Sequence, residues 1–573
     1  MIQINRIAYE CDNDGEKYAQ KFSQGTGFMS TQSEIDSEEG LSLKAQVLLI
    51  QALRSAAIFD HPVTSIKVLE THISWVILAG DYAYKFKKAV NFGFLDFSTL
   101  QKRHFYCQEE LRLNRRFAPR LYLDVVSVSG SLTEPVLNGP GEPLEFAVKM
   151  RRFSQDCLLG KLAADRQLLP EHVDEIADLL AGVHSASERA REDSDFGLAD
   201  GIHRWVLENF FQIRKALQPE DVNPGLAGLE SWCQQEFDAR RKQLELRRKN
   251  GFIRECHGDL HLGNLALVDG RITPFDCIEF NPQLRWIDVM SEAAFLMMDL
   301  LDRGYPGLAY RFLNGYLQRT GDYRGLCILR YYLVYRALVR AKVAALRLAQ
   351  SAAQTDSKDE ARRDFDGYLS LAANWAVTPT PFMLIMHGVS GSGKSWYAGR
   401  LTEKLGAIQL RSDIERKRLY GYPAEAKTGS GVQSGIYSQA ASDRTYKHLA
   451  GLAGSVVASG LPVIVDAAFL KLAERQYFQR IAKSLEVPFG ILHMEADEST
   501  LTARIERRRQ VGIDPSEAGI AVLKSQLATQ EPLLPSEMDV VYSIETTAAD
   551  SLDALISRIM KTCSASPHRQ GIF

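Results

Sequence analysis

The run Gly388-Val389-Ser390-Gly391-Ser392-Gly393-Lys394-Ser395 constrains this chain more than any other segment. It fits the spacing GxxxxGK[ST], and its surroundings fit too. A buried apolar run, Phe382-Met383-Leu384-Ile385-Met386, precedes it, and a helical stretch, WYAGRLTEKLG, follows. Glycines here let successive backbone N–H groups turn inward, and a helix start adds partial positive charge, so the loop is suited to cradle phosphate oxygens. Lys394 is placed to reach β- and γ-phosphates, and the Ser395 hydroxyl to ligate Mg2+. Strands and helices alternate from about Thr378 to about Lys561, which predicts a parallel sheet with helical crossovers.

The neighbours refine this reading. Val463-Ile464-Val465 reads as a buried strand with Pro462 at its first position, leading into Asp466, a carboxylate for Mg2+ or its water. A strand at Ala407–Leu410 ends in Arg411-Ser412-Asp413, where a carboxylate facing the phosphate loop is placed to take a proton from an acceptor hydroxyl. Asp413 equally fits a helix N-cap, and the two roles can coexist. Arg416, a turn later, is a candidate for holding an anionic group on the acceptor. In LTARIERRRQ, Arg504 and Arg508 share a helix face and can close over a transferring phosphoryl group; the competing reading is a solvated basic helix. Gly512–Glu517 reads as a lid loop.

A second constellation lies in His257-Gly258-Asp259-Leu260-His261-Leu262-Gly263-Asn264. The Asp259-to-Asn264 spacing equals that of the kinase catalytic loop HRDxxxxN. A strand at Leu265–Val268, a turn at Asp269-Gly270 and a strand ending in Pro274-Phe275-Asp276 bring Asp276 back to Asn264. Asp259 is then the residue that orients or deprotonates a hydroxyl, with Asn264 and Asp276 holding Mg2+ against ATP phosphates. His257 and His261 read as structural. Upstream, Ile66–Phe86 looks like two strands and a tight turn at Ala79-Gly80-Asp81. Its second strand offers Lys85 and Lys87 to the phosphates on one face, and distance from the turn favours Lys87. The following helix offers Glu109 and Glu110, of which Glu110 is the expected partner. Ala147–Met150 is expected to border the adenine. No GxGxxG precedes the lysine strand, so Thr71–Trp75 is expected to cover the phosphates.

On HGDLHLGN and the following FDCIEF, the first unit resembles the aminoglycoside phosphotransferase-like kinases, whose loop reads HGDxHxxN. That resemblance implies that Asp288, in RWIDV, braces the catalytic loop. On its P-loop and the S-D-x-x-R-like stretch at Ser412–Arg416, the second unit is similar to gluconate kinase, polynucleotide 5′-kinase and zeta-toxin relatives. The whole chain resembles a bacterial bifunctional type that fuses the two. The implied fold is α/β multidomain: an N-terminal protein-kinase-like, two-lobed α+β domain, then a P-loop NTPase α/β domain with a parallel sheet.

The expected domains are a flexible leader at 1–45, a kinase-like domain at 46–377, a P-loop kinase domain at 378–562 and a loose tail at 563–573. A total of 573 residues is too long for one hydrophobic core. Lys+Arg 68 against Asp+Glu 71 leaves a net charge of −3, which argues against a general nucleic-acid or anionic-membrane binder. The 8 cysteines lack CxxC or zinc spacing and read as free thiols of a reducing cytoplasm. No run of roughly 20 apolar residues is present to span a membrane. The function this implies is ATP-dependent phosphotransfer at two Mg2+·ATP sites to hydroxyls of small-molecule acceptors. The alternatives are a nucleotide-sensing regulator in which one domain gates the other, and a toxin-like kinase of nucleotide sugars or nucleic-acid ends. Acceptor identity and oligomeric state are not encoded in any readable motif.

Overall fold

Apolar alternation in SWVILA and YAYKFK builds a sheet whose inner face is closed by aromatic and β-branched side chains. The computed structural model describes residues 9–10, 40–93, 95–218, 223–350, 355–377, 380–424, 426–428, 434–511, 516–546 and 552–564. The first lobe contains β1 (Tyr9–Glu10), α1 (Leu43–Ala52), β2 (Ile66–Glu70), β3 (Ser74–Ala79), β4 (Tyr82–Lys87), α2 (Leu100–Arg115), β5 (Tyr122–Gly130), β6 (Pro135–Leu137) and β7 (Glu145–Arg151). They form one seven-stranded antiparallel sheet in the order β1-β2-β3-β4-β7-β5-β6. Two strands were expected over Ile66–Phe86, whereas the structure has three. The extra turn contains no glycine: the Thr71 hydroxyl accepts from the N–H groups of Ile73 and Ser74, at 3.3 and 2.9 Å, and closes it. The expected leader at 1–45 and tail at 563–573 fall mostly outside the described residues.

The second lobe is helical around a small β platform. In order it holds α3 (Leu159–Ala164), α4 (Pro170–Ala186), α5 (Ala199–Ala216), α6 (Leu226–Lys249), β8 (Ile253–Glu255), β9 (Leu265–Val268), β10 (Arg271–Pro274), α7 (Pro282–Arg285), β11 (Trp286–Asp288), α8 (Val289–Asp302), α9 (Pro306–Thr320), α10 (Leu326–Gln350) and α11 (Thr355–Ala376). The β9–β10 hairpin and the β11–β8 pair flank the loop at 257–264. The helix α8 is apolar nearly all round and buried from Val289 to Leu300, the pattern of a central helix rather than a surface one.

The last unit runs β12 (Met383–His387), α12 (Lys394–Leu405), β13 (Ile408–Arg411), α13 (Ser412–Leu419), α14 (Gln439–Ala458), β14 (Val463–Asp466), α15 (Leu472–Ser484), β15 (Phe489–Glu495), α16 (Glu498–Val511), α17 (Ile520–Thr529), β16 (Val541–Glu545) and α18 (Leu552–Ser564). Its five strands are parallel, in the order β13-β14-β12-β15-β16, which leaves β13 at an edge. An open edge strand invites mispairing. Here α9 covers it: Asn314 donates to Ala407 O at 2.9 Å and accepts from the Gln409 N–H at 2.7 Å. One apolar cluster runs from α8–α10 into the face of the parallel sheet. Among the described residues, no helix is long and apolar enough to cross a membrane. The six cysteines whose side chains are described are free thiols.

Candidate active sites

The β9–β10 hairpin brings Asp259, Asn264 and Asp276 to one place. The Asn264 carboxamide donates to Asp259 Oδ2 at 2.8 Å and to Asp259 O at 3.0 Å. Asp259 Oδ1 is buried and has no hydrogen-bond partner. His257 spans to Phe275 O at 2.9 Å, which fixes the residue before Asp276 against the loop. Asp276 itself has a left-handed φ of 63°, a conformation that aspartate tolerates better than most residues. Its N–H donates to the Tyr122 hydroxyl at 3.0 Å.

The lysine expected from β4 resolves into two positions. Lys85 reaches Glu110 at 2.8 Å and Asp276 at 2.5 Å. Lys87 takes the other oxygen of Glu110 at 2.8 Å and pairs with Glu279, deeper in the lobe. The structure therefore sets Lys85, rather than the favoured Lys87, beside Asp276. Burial alone works against the Lys85 ammonium, but Asp276, Glu110 and Glu279 outweigh it and hold its pKa well above the ordinary value. Glu110, fully buried, is in turn held well below the usual carboxylate range by Lys85 and Lys87 despite its burial. Glu109 instead pairs with Arg112 and with Arg285 of the second lobe.

The expected brace at Asp288 is not what holds the loop. Both Asp288 oxygens are taken by Arg247, at 2.7 and 2.8 Å, and Arg247 also binds Asp322. The loop is held one turn further along α8, where Glu292 accepts the Gly258 N–H at 2.6 Å, and again where Asp299 accepts the Leu262 N–H at 2.8 Å. Glu292 is steadied by His184 at 2.8 Å, whose other ring nitrogen meets the Tyr316 hydroxyl at 2.8 Å. Glu292 and Asp299 were missed because SEAAFLMMDL reads as an apolar core helix, and their burial beside the loop is a tertiary fact.

In the parallel-sheet unit, β12 delivers the chain into the glycine loop. A Cβ at Gly391 (φ 86°) would meet Leu501 O at 2.7 Å, and one at Gly388 would meet Met494 O at 2.9 Å. The loop is therefore confined to glycine at these points. Ser392 Oγ is buried without a partner, Lys394 Nζ donates to Val389 O at 2.8 Å, and the Ser390 N–H donates to Gln526 Oε1 at 2.7 Å. Burial lowers the Lys394 pKa to about 8, against the favourable charges of Asp466 and Asp413. The Ser395 hydroxyl bonds Asp466, whose own pKa is raised by burial despite Arg411.

Asp413 lies within α13 and does not cap it; that position belongs to Arg411. Arg416 is buried and spends Nη1 on Ile436 O at 2.8 Å and Ser442 Oγ at 3.2 Å. Arg504 binds Gly391 O, Thr546 O and Thr546 Oγ1, so it fastens the glycine loop to the end of β16. Arg508 donates to Ala518 O and lies near enough to Lys394 to bias its charge. The lid loop expected at 512–517 lies mostly outside the described residues.

The sequence matches the family described as "Phosphotransferase enzyme family" over residues 107–329 and that described as "AAA domain" over residues 383–533. Uncharacterized proteins of Mycobacterium tuberculosis and Mycobacterium bovis are 31% identical over 471 residues, which cover 82% of this chain and 92% of theirs. The chain belongs to a bacterial two-domain phosphotransferase family. Among solved structures, the amicoumacin kinase hAmiN is 11% identical, with 57% of this chain and 93% of that one covered, at TM-score 0.36. A gluconokinase from Sinorhizobium meliloti 1021 is 20% identical, with 32% and 93% covered, at TM-score 0.23. The fold class is a kinase-like domain followed by a P-loop kinase domain. Its two domain families are of the kinase type, which makes the chain an ATP-using phosphotransferase.

Proposed function

We propose that the protein has two Mg2+·ATP centres, one at residues 46–377 and one at 378–562, each moving a γ-phosphoryl group to a hydroxyl of a small molecule. The observation that carries the first centre is the division of labour on Asp259. Asn264 holds Oδ2, which leaves the buried Oδ1 without a partner and free to receive a proton. The acceptor O–H proton passes to Oδ1 as its oxygen bonds to the γ-phosphorus, and the β–γ bridging oxygen departs with its electron pair on ADP. Lys85, steadied by Glu110, neutralises phosphate charge.

The residues present fit a hard divalent ion. Among the described residues Asn264 Oδ1 accepts no hydrogen bond, Asp276 adds a carboxylate on the same hairpin, and Ser395 and Asp466 offer an oxygen pair at the second centre. Such an ion supplies charge stabilisation to the phosphoryl group in transit. At the second centre the glycine loop's inward amides and Lys394 cradle the phosphates. Asp413 accepts the acceptor proton, Arg416 binds the acceptor, and Arg504 and Arg508 hold the loop and its approach.

The test is ATP consumption by the full chain carrying Lys394→Ala, Asp259→Asn or both. Each single variant is expected to retain the other centre's turnover and the double variant none. Equal residual activity in all three overturns the two-centre reading.

A further inference from the structure

His257 and His261 flank Asp259, and the structure uses them differently. His257 spends both ring nitrogens inside the protein: Nε2 on Phe275 O at 2.9 Å and Nδ1 on the Asp259 N–H at 3.3 Å. His261 spends one. Its Nδ1 accepts the Gly263 N–H at 3.0 Å, so that nitrogen carries no proton and the ring's proton sits on Nε2. Among the described residues, the buried His261 Nε2 has no hydrogen-bond partner. It lies 3.5 Å from Asp259 Oδ2, at the outer limit of a hydrogen bond, and that oxygen already accepts from Asn264 at 2.8 Å. The ring packs closely on Gly263, where an added Cβ would meet its Cε1 at 2.7 Å, and against Phe295, at 5.6 Å between centroids.

A buried N–H and a buried carboxylate oxygen that both lack partners are costly unless a ligand completes them. Here they are neighbours: Asp259 Oδ1 lies at most one carboxylate width beyond the oxygen that His261 Nε2 approaches. One oxygen atom can bond to both, since two hydrogen bonds of about 2.8 and 3.0 Å span that separation. The group that matches is a hydroxyl, which gives one proton and accepts through lone pairs on the same atom. A protonated amine only donates and would set an N–H against Nε2–H.

We propose that His261 is a catalytic residue of the Asp259 centre, whose Nε2–H holds the oxygen of the acceptor hydroxyl while Asp259 Oδ1 receives its proton. This rests on the reading of Asp259 as a phosphotransfer centre and restricts that centre to oxygen nucleophiles. The acceptor O–H bond breaks towards Oδ1 as its oxygen bonds to the γ-phosphorus, and the bond from that phosphorus to the ADP oxygen breaks with its electron pair on ADP. Nε2 keeps its proton throughout. It pins one lone pair of the acceptor oxygen and leaves the other for phosphorus, so the histidine sets the direction of attack.

The experiment reads steady-state ATP consumption by the full chain in a Lys394→Ala background, with water as the acceptor. Two variants separate the ring nitrogens. His261→Asn keeps an acceptor where Nδ1 stands and removes the Nε2 donor, whereas His261→Gln places an amide N–H where Nε2 stands and drops the Nδ1 acceptor. His261→Asn is expected to lower kcat about 10- to 100-fold with the KM for ATP unchanged, and His261→Gln to retain most of the activity. Thermal melts verify that both variants fold. Equal activity in the two folded variants, or the reverse order with Asn active and Gln inactive, marks a purely structural histidine and overturns the proposal. A raised KM for ATP at constant kcat in His261→Asn also overturns it, because the donor then serves the nucleotide. Consumption that is absent in Lys394→Ala alone, or undiminished when Asp259→Asn is added, rejects the underlying reading of Asp259 instead.

Discussion

Gln409, on the covered edge strand β13, donates from Nε2 to Asp466 Oδ2 at 3.0 Å. Its backbone N–H is held by Asn314 of α9, and its Oε1 lies 3.4 Å from Gln318 Nε2 on the same helix. The opposite side of α9 carries Tyr316, whose hydroxyl meets His184, then Glu292, then the Gly258 N–H. A single helix therefore touches the supports of both centres. Asn314→Ala removes both side-chain bonds to the β13 edge and is expected to cost about 1–3 kcal/mol. Because the apolar cluster is continuous across the two units, calorimetry of the full chain is expected to give one main unfolding transition, lowered by this variant. Two well-separated transitions, with only the second shifted, would contradict a shared core.

Glu110→Gln removes the negative charge that two lysines share. Lys87 keeps Glu279 and Lys85 keeps Asp276, but each loses one partner in a fully buried site. Breaking such pairs costs about 3–5 kcal/mol. Turnover at the Asp259 centre is expected to collapse, while the activity that Lys394→Ala abolishes is spared. A steady-state assay of Glu110→Gln alone and combined with Lys394→Ala separates the two contributions.

Glu292 accepts the Gly258 N–H and so holds the loop that carries Asp259; on the proposed function it is a positioning residue. Glu292→Gln preserves size but replaces a charged acceptor for Gly258 N–H and His184 with a neutral amide. A drop in kcat of about 10-fold, equivalent to about 1.4 kcal/mol, is expected with little change in the KM for ATP. A rise in that KM at constant kcat would point to nucleotide binding instead.

What the sequence made legible was whatever depends on spacing along the chain. Asp259, Asn264 and Asp276 needed only a catalytic-loop interval and a hairpin, and the glycine loop carried its own context. What it hid depends on depth and on distant partners. Lys85 and Lys87 share strand parity, so only the placement of Asp276 distinguishes them. Asp288 looked like the loop's brace until Arg247 claimed both its oxygens. Thr71 closes a turn with a hydroxyl where no glycine advertised one. Asn314 belongs to no motif, yet it caps a sheet edge through partners about 95 residues away in the chain.

The last prediction concerns protons. Burial lowers the Lys394 pKa to about 8, so the ammonium is charged below that pH and loses its proton as pH rises through it. A bound triphosphate favours the charged form and raises the value. Binding at pH 6.5 therefore takes up no proton at this lysine, whereas binding at pH 9 takes up close to one, and affinity for ATP falls as pH climbs past 8. Titration calorimetry in buffers of different ionisation enthalpy measures that uptake. Lys394→Arg keeps a cation that does not deprotonate in this range, so the difference between the two proteins isolates the P-loop lysine from every other group, including the Asp259 centre. Identical uptake in both at pH 9 would place the titrating group elsewhere.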